Sequence, residues 1–126
     1  MGALSNVHAA SLLNTSLRNG TYYLALFLTD PTSSGTGTEA TGGGYARKII
    51  TFGAPALVSA KQQVTNSEAV DFGTLTADLG TVAYWGIYDA QSGGNLLWYG
   101  SFTRSKNVLS GDAITISAGA IVCTLS

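Results

Sequence analysis

The sequence predicts a mainly β protein: an antiparallel β-sandwich of seven to nine short strands, with one N-terminal α-helix and a long Gly/Thr-rich loop. Short runs rich in β-branched and aromatic residues recur every ~8–12 residues between turn signals. The 126 residues include 16 glycines and only 10% charged residues, as in a loop-rich β protein. Because no linker or internal repeat divides the chain, we expect a single domain over residues 1–126.

The predicted helix runs from Ser5 to Arg18. Ser5 is a suitable N-cap, and Asn19-Gly20 is a typical stop, with Gly20 available for a left-handed conformation. Apolar residues recur at spacings of three and four and form one stripe: Val7, Ala10, Leu13 and Leu17, widened by Leu12. We expect this helix to pack on the sandwich or on a neighbouring subunit.

Two strands and a long loop are predicted in the first half of the chain. Residues 21–29 form a strand that is apolar on both faces, and residues 45–52 form the next strand. Arg47 and Lys48 point to opposite faces of that strand, so at least one cation must meet solvent or an acidic partner. The loop at residues 31–44 is too polar and glycine-rich for a core element, and we expect it to reach outward or lie across a neighbouring subunit.

The second half contains several short predicted strands. Residues 56–64 are weakly patterned and indicate a short edge strand. In residues 69–72, Val70 and Phe72 share one face. The remaining short strands are residues 107–109, 113–117 and 120–125.

A β-hairpin at residues 81–102 is the central predicted element. Its strands, 81–88 and 95–102, are joined by a polar loop at residues 89–94 whose two glycines can adopt positive φ. Both strands are apolar on both faces, which is typical of central strands covered on both sides by other elements or by another subunit. Gly86 and Gly100 within them predict bulges or a close approach of another backbone.

Composition excludes several classes of protein. Six Lys and Arg balance seven Asp and Glu, and no basic patch is visible, so we expect no nucleic-acid partner. No apolar window approaches the ~18 residues of a membrane span. The N-terminus lacks a signal-peptide pattern, so we expect a protein that stays in the cytoplasm where it is made or leaves by a route other than secretion. The single Cys123 is expected to be a buried free thiol.

A search for catalytic or metal-binding motifs is negative. His8 stands alone and cannot form a common zinc site. Residues 35–40 match G-x-G-x-x-A, but the glycines that follow cannot open the helix that a dinucleotide site needs. The seven carboxylates show no paired spacing. The sequence therefore predicts no enzyme, no cofactor and no metal site.

One aromatic cluster is a candidate contact surface. Its members lie in the central hairpin: Tyr84, Trp85, Tyr88, Trp98 and Tyr99. Such residues fill a core, anchor a subunit interface or stack on sugar rings. The sequence leaves these alternatives open.

Two stretches resemble a family of small tailed-bacteriophage virion proteins. GTEATGGGYARKIITF (37–52) is similar to a motif that usually reads G-T-E-V-S-G-G-G-Y-A-R, with Ala40-Thr41 in place of Val-Ser. GTVAYWGIYDAQSGGNLLWYG (80–100) resembles the motif's companion, and the resemblance covers nearly the whole chain. It adds Tyr45 and Arg47 to the candidate contacts and brings no catalytic residue. Members are commonly labelled tail fibre proteins, and some similar small β proteins act as capsid cement or decoration.

The resemblance implies a non-enzymatic virion structural protein, made in the host cytoplasm, that binds phage capsid or tail proteins and forms a homo-oligomer. A chain of 126 residues is short for a receptor-binding fibre, which favours a many-copy capsid cement subunit. The alternative is a tail fibre or tail-tip component that binds host surface carbohydrate. A small hydrolase, the third hypothesis, has no supporting motif.

Overall fold

The computed structural model describes residues 5–58 and 61–125. In these ranges the chain forms one helix and nine strands: α1 Asn6–Leu17, β1 Tyr22–Phe27, β2 Lys48–Ile50, β3 Ala56–Val58, β4 Lys61–Thr65, β5 Val70–Thr74, β6 Gly80–Tyr88, β7 Leu96–Val108, β8 Ala113–Ile116 and β9 Val122–Leu125. The prediction of a mainly β fold with one N-terminal helix and antiparallel strands is confirmed. Residues 59 and 60, inside the predicted edge strand 56–64, lie outside the described residues.

The strands form three antiparallel sheets. The largest has the order β2-β1-β6-β7, the second β3-β4-β9, and the third β5-β8. The main core combines side chains from all three sheets and from the helix. Representative members are Leu13, Leu17, Leu26, Val64, Phe72, Trp85, Ile87, Ile114 and Cys123. Burial of this continuous apolar surface is what holds the sheets together.

The helix packs on its own chain. The Ser5 side chain caps it by accepting a hydrogen bond from the backbone N–H of His8 at 3.2 Å, and its buried face lies against β4 and β9. That face consists of Ala9, Leu13 and Leu17. The predicted stripe is therefore wrong at its start, since Val7 in the first turn is 83% exposed. Gly20 is also not left-handed, because Arg18 already ends the helix with φ −123°.

Three strand predictions need correction. The predicted strand 45–52 contains only β2, Lys48–Ile50, because the preceding residues turn toward Glu39, as described below. Residues 56–58 and 61–65 pair as a hairpin rather than forming one edge strand. Residues 107–108 are not a separate strand but the end of β7, whose pairing with β6 continues to Gly80↔Val108.

The central hairpin is confirmed, with different surroundings for its two strands. β6 lies between β1 and β7, and its second half is buried on both faces. β7 is the edge of the sheet, where Leu97 is 40% and Tyr99 44% exposed. The prediction that both strands are central is therefore right for β6 and wrong for β7.

The long loop folds back on its own chain. The Leu28 N–H donates to the Thr38 carbonyl at 2.8 Å, and the Ala40 N–H donates to the Leu26 carbonyl at 2.9 Å. Pro31 and Ala40 are buried. The second half of the loop thus runs along β1 instead of reaching outward.

Gly86 and Gly100 make room for side chains rather than for bulges. The register shifts between β6 and β7 lie at Val82/Tyr84 and Ile87/Tyr88. A Cβ on residue 100 would lie 2.6 Å from Cζ2 of Trp85, the residue that pairs with Gly100 across the hairpin. The indole of Trp85 therefore occupies the space that a side chain on residue 100 would need.

We expect Gly100→Ala to destabilise the fold by about 1–3 kcal/mol, because the added methyl group overpacks against Trp85. The measurement is the free energy of unfolding from urea denaturation. The control is Gly53→Ala, where a Cβ would meet no atom closer than 3.9 Å; it should leave stability unchanged or raise it by up to about 1 kcal/mol. Equal effects of the two substitutions would contradict the packing argument.

Candidate functional site

Arg47 is the best-connected polar residue of the described chain. Its Nε donates to Oε2 of Glu39 at 3.0 Å, and its Nη2 donates to Oε1 of the same carboxylate at 2.9 Å. Two parallel bonds of this kind fix the orientation of both groups and are stronger than bonds between neutral groups. Arg47 is buried. The sequence predicts that at least one of Arg47 and Lys48 meets solvent or an acidic partner, and the acidic partner of Arg47 is Glu39, eight residues earlier in the same chain.

The same guanidinium holds the central hairpin loop. Nη1 of Arg47 donates to the carbonyl oxygens of Ala90 at 3.1 Å and Gly93 at 2.7 Å. Its Cζ lies 3.6 Å from the centroid of the Tyr88 ring, a cation–π contact. Arg47 therefore connects the long loop to the end of β6 and to the loop that follows it.

Tyr45 completes this group of side chains. Its hydroxyl donates to Oε2 of Glu39 at 2.7 Å and accepts from the N–H of Leu26 at 2.9 Å. Its ring stacks on Phe72 with centroids 5.9 Å apart. Burial raises the pKa of Tyr45 far above its usual value, so the phenol stays protonated. We refer to Glu39, Tyr45 and Arg47 together as the clamp.

The glycine run in the motif gives the clamp its geometry. Gly42, Gly43 and Gly44 have φ values of +90°, +61° and +83°, which other residues rarely adopt. A Cβ on Gly43 would also lie 2.7 Å from the backbone nitrogen of Ala77. This left-handed turn brings Tyr45 and Arg47 back toward Glu39. Within the motif G-T-E-x-x-G-G-G-Y-A-R, the side chains of Tyr45 and Arg47 therefore donate hydrogen bonds to the carboxylate of Glu39.

The clamp lines an open cleft of about 480 Å³, which also includes Thr41, Gln91 and Ser92. Its side chains form hydrogen bonds to one another, to the carbonyls of Ala90 and Gly93 and to the N–H of Leu26. Across the described ranges, every buried side-chain nitrogen or oxygen has a hydrogen-bond partner. The arrangement therefore joins loops, and none of its buried polar groups points unpaired into the cleft.

The structure separates the five hairpin aromatics. Trp85 belongs to the main core, and Trp98 packs against that core while its Nε1 donates to Ser16 Oγ at 2.8 Å. Tyr88 lies on the opposite face of the sheet with Phe27, and Tyr84 packs against them. Tyr99, opposite Gly86 in the register, shares that second face and is exposed. Of the seven candidates, Arg47 contacts the Tyr88 ring and shares Glu39 with Tyr45, and Tyr84 packs against the cluster that contains Tyr88.

Several exposed apolar residues of edge strands escaped the sequence prediction, among them Ile49 on β2, which is 59% exposed. Leu57 is 54% and Val58 45% exposed on β3, an edge strand. Leu97 is exposed on β7, at the edge of the largest sheet. The sequence contains these residues in apolar runs, but only the sheet order reveals that they lie at edges.

The remaining chemistry of the described ranges is sparse. No three His, Cys, Asp or Glu side chains within residues 5–58 and 61–125 converge as a metal site would require. No helix in those same ranges is long and apolar enough to cross a membrane. Cys123 is a buried free thiol, as predicted, and burial raises its pKa to about 12.

We expect Glu39→Gln to destabilise the fold by about 1–3 kcal/mol, because Arg47 would be left buried without its anion. The measurement is urea unfolding at neutral pH. The control is Lys106→Gln, which removes an exposed pair with an N–O distance of 3.8 Å to Asp112 and should cost less than about 0.5 kcal/mol. A Glu39→Gln effect no larger than the control's would contradict the clamp.

We expect the stability of the protein to fall as the pH rises from about 9, where an unfolded Cys123 thiol begins to lose its proton, and more steeply above about 10. Tyr45→Phe should reduce the part of the fall that lies above pH 10. The usual pKa of tyrosine is 10.0, and burial raises the pKa of Tyr45 well above it. Above pH 10 the unfolded chain loses a proton that the folded chain keeps, so unfolding becomes more favourable. Thermal unfolding between pH 8 and 11 measures the effect.

The matched control for that experiment is Tyr99→Phe, which removes a phenol from an exposed position. Its stability profile should follow that of the wild type. At neutral pH, Tyr45→Phe should cost about 1–2 kcal/mol, because it removes the partner of the Leu26 N–H and of Glu39. A Tyr45→Phe profile parallel to the wild type would show that Tyr45 is not the source of the alkaline dependence.

Comparison with known proteins identifies the family. A protein-family model described as "Podophage GP4 fiber I protein gp80" matches residues 3–124. A search of curated proteins gives no match. The matched range includes the clamp motif and the whole central hairpin. The chain therefore belongs to the Podophage GP4 fiber I protein gp80 family, a family of phage virion fibre proteins.

Proposed function

We propose that this protein is a non-enzymatic structural subunit of a podophage fibre, which acts by binding neighbouring virion proteins. The observation that carries the proposal is the family match over residues 3–124. Because the match spans nearly the whole chain, the fold described above is itself the unit that the family shares. The virion is accordingly the proposed location.

The geometry of the clamp supports a structural role. Its three polar side chains bond to one another, to the hairpin loop and to β1, and so they stiffen the domain. A subunit that transmits force or holds a position in a particle needs fixed loops more than it needs a reactive site. The contacts to neighbours are then left to the exposed apolar residues of the edge strands.

Capsid cement, favoured by the length of the chain, remains a prediction. The family description names a fibre, and a short chain can serve as one of several chains in a fibre. Both roles would rely on burial of subunit surface, which is worth about 25 cal/mol per Å² before association costs are subtracted. The two roles differ in position on the particle, and that difference can be measured.

Binding of a host surface carbohydrate belongs to the same proposal only as a secondary role. Stacking on a sugar ring needs an exposed aromatic face. Trp85 is buried in the core, whereas Tyr99 is the most exposed of the aromatic candidates. A glycan site on this domain would therefore be centred on Tyr99 and the half-buried Tyr84.

We expect immunogold electron microscopy of the phage, with an antibody to this protein, to place label on the tail fibres. Label spread over the head would instead support capsid cement. Absence of label, with the epitope shown to be accessible in lysed particles, would contradict a virion role. A second antibody to a major head protein controls for labelling efficiency.

A further inference from the structure

A pocket opens where β7 and β8 diverge. Residues 109–112 join these two strands, but β7 pairs with β6 and β8 pairs with β5. The register of β7 is irregular here, because β6 advances two residues from Val82 to Tyr84 while β7 spans five between Ser101 and Lys106. Extra residues of this kind bend and twist a strand. The space left between β7 and β8 is a pocket of about 170 Å³.

The interior of this pocket is apolar. Leu26, Val82 and Val108 line it, and all three are buried members of the main core. Ile114 of β8 and the half-buried Phe102 of β7 also belong to the lining. The pocket is more enclosed than the cleft beside the clamp. An apolar side chain that entered it would therefore contact the core directly.

Two cations line the same pocket. Arg104 and Lys106 are exposed there, and the lining includes no acidic residue of the described chain. Nζ of Lys106 lies 3.8 Å from Oδ2 of Asp112, a long ion pair whose carboxylate oxygen also accepts from the Leu109 N–H at 2.9 Å. Arg104 forms no ion pair within residues 5–58 and 61–125. The mouth of the pocket is therefore positively charged.

A more open trough continues from the pocket along the chain that follows β8. It shares Phe102, Arg104 and Thr115 with the pocket and reaches Val122, which is 41% exposed. Asp71 accepts a hydrogen bond from the Thr115 hydroxyl at 3.4 Å, but it is not part of the lining of the pocket or of the trough. We refer to the pocket and the trough together as the groove. A short extended segment can lie along the trough with one side chain in the pocket.

Size and charge together select the ligand of the groove. Pockets that enclose drug-sized molecules measure about 300–1,000 Å³. A pocket of about 170 Å³ therefore takes one or two side chains and not a lipid chain or a cofactor. A nucleic acid would pair its phosphates with the cations but would leave the apolar pocket empty. An acidic peptide segment with one apolar side chain uses both features, and a side chain that fills a pocket is a common anchor of protein interfaces.

We propose that the groove binds an acidic segment of a neighbouring virion protein. An apolar side chain of that segment enters the pocket, and the carboxylates beside it pair with Arg104 and Lys106. Complementary charge of this kind fixes the orientation of a partner and excludes basic ones. The source of the segment rests on the proposed function, whereas the binding chemistry belongs to the isolated chain and is tested on it.

The first experiment titrates the isolated full chain with the tripeptide acetyl-Asp-Leu-Glu-amide and follows NMR chemical shifts. We expect saturable changes at residues of the groove, including Arg104 and Thr115. The expected dissociation constant is about 1 mM, as suits one buried leucine side chain and two exposed ion pairs. Acetyl-Lys-Leu-Lys-amide and acetyl-Asp-Ala-Glu-amide should bind roughly 10-fold more weakly or not at all, because the first lacks the carboxylates and the second lacks the large apolar side chain.

A charge reversal tests the role of the cations. Arg104→Glu should raise the dissociation constant of acetyl-Asp-Leu-Glu-amide roughly 10-fold at low salt, and the effect should shrink as the salt concentration increases. The matched control is Lys61→Glu, at an exposed lysine of β4 outside the groove, which should leave binding unchanged. Arg104→Gln, with a smaller rise expected, replaces Arg104→Glu if circular dichroism shows that the latter does not fold.

Several results of these titrations would overturn the proposal. They are the absence of saturable binding at millimolar peptide concentrations, equal binding of the three tripeptides, and a dissociation constant that the substitution of Arg104 leaves unchanged. Decanoate serves as a further probe, since it carries one carboxylate on a lipid chain. Tighter binding of decanoate than of acetyl-Asp-Leu-Glu-amide would indicate a lipid site and would also overturn the proposal.

Photo-cross-linking identifies the partner in the particle. Phage are assembled with a photoreactive phenylalanine in place of Thr115, an exposed residue that lines both parts of the groove. Mass spectrometry should find it joined to another virion protein, at a segment where an Asp or Glu lies next to an apolar residue. Arg104→Glu should remove that product, and Lys61→Glu should retain it.

The cross-linking separates failure of the groove from failure of the proposed function. A product with a basic segment, or no product from particles that contain this protein, would overturn the proposal for the groove. Particles that lack this protein altogether would instead contradict the proposed function. The titrations of the isolated chain would then still decide whether the groove binds an acidic, apolar segment.

Discussion

The ion pair between Arg47 and Glu39 is the interaction on which the arrangement of the loops depends. A cation that is buried in a protein is tolerated only when it is paired and fully hydrogen-bonded. Here the carboxylate supplies two acceptors, the carbonyls of Ala90 and Gly93 supply two more, and the Tyr88 ring covers one face of the guanidinium. Since these groups come from separate segments, Arg47 can be satisfied only when the long loop and the hairpin loop are both in place.

This constraint explains what the polar residues of the motif at residues 37–47 do in a chain with so few charges. The polar side chains of the motif form hydrogen bonds that hold the long loop and the hairpin loop in position. The apolar residues form the core, and some of them lie exposed at the strand edges. β6 is buried on both sides because the main core lies on one face of its sheet and Phe27, with the long loop, lies on the other. The indole of Trp85 packs directly over Gly100 of β7 and fills the space that a side chain there would occupy. The result is a stiff domain with exposed apolar residues at its strand edges.

The helix and the hairpin could be predicted from the sequence because their signals are local: an N-cap with three- and four-residue periodicity, and two aromatic runs around Gly93-Gly94. The clamp could not be predicted from such local signals. YARKIITF alternates like a strand, and nothing in its periodicity shows that Arg47 turns away toward Glu39. The second half of β7 was missed for a related reason, since Thr103 to Asn107 is polar and an exposed edge strand needs no apolar alternation. Which aromatics are buried depends on sheet order, which places β6 inside and β7 at the edge although both runs are equally apolar.

The scarcity of charge gives the remaining charges a larger role in specificity. Arg47 is used internally, and Arg18 binds Asn14 and the Phe52 carbonyl, so few cations remain at strand edges. An edge strand with charges along its whole length would resist all pairing, and one with none would allow many registers. β7 has an uncharged first half, and its second half carries Arg104 and Lys106 where its register with β6 shifts. The charges and the irregular register act together, because charged side chains and bulges both hinder the pairing of an edge with another strand.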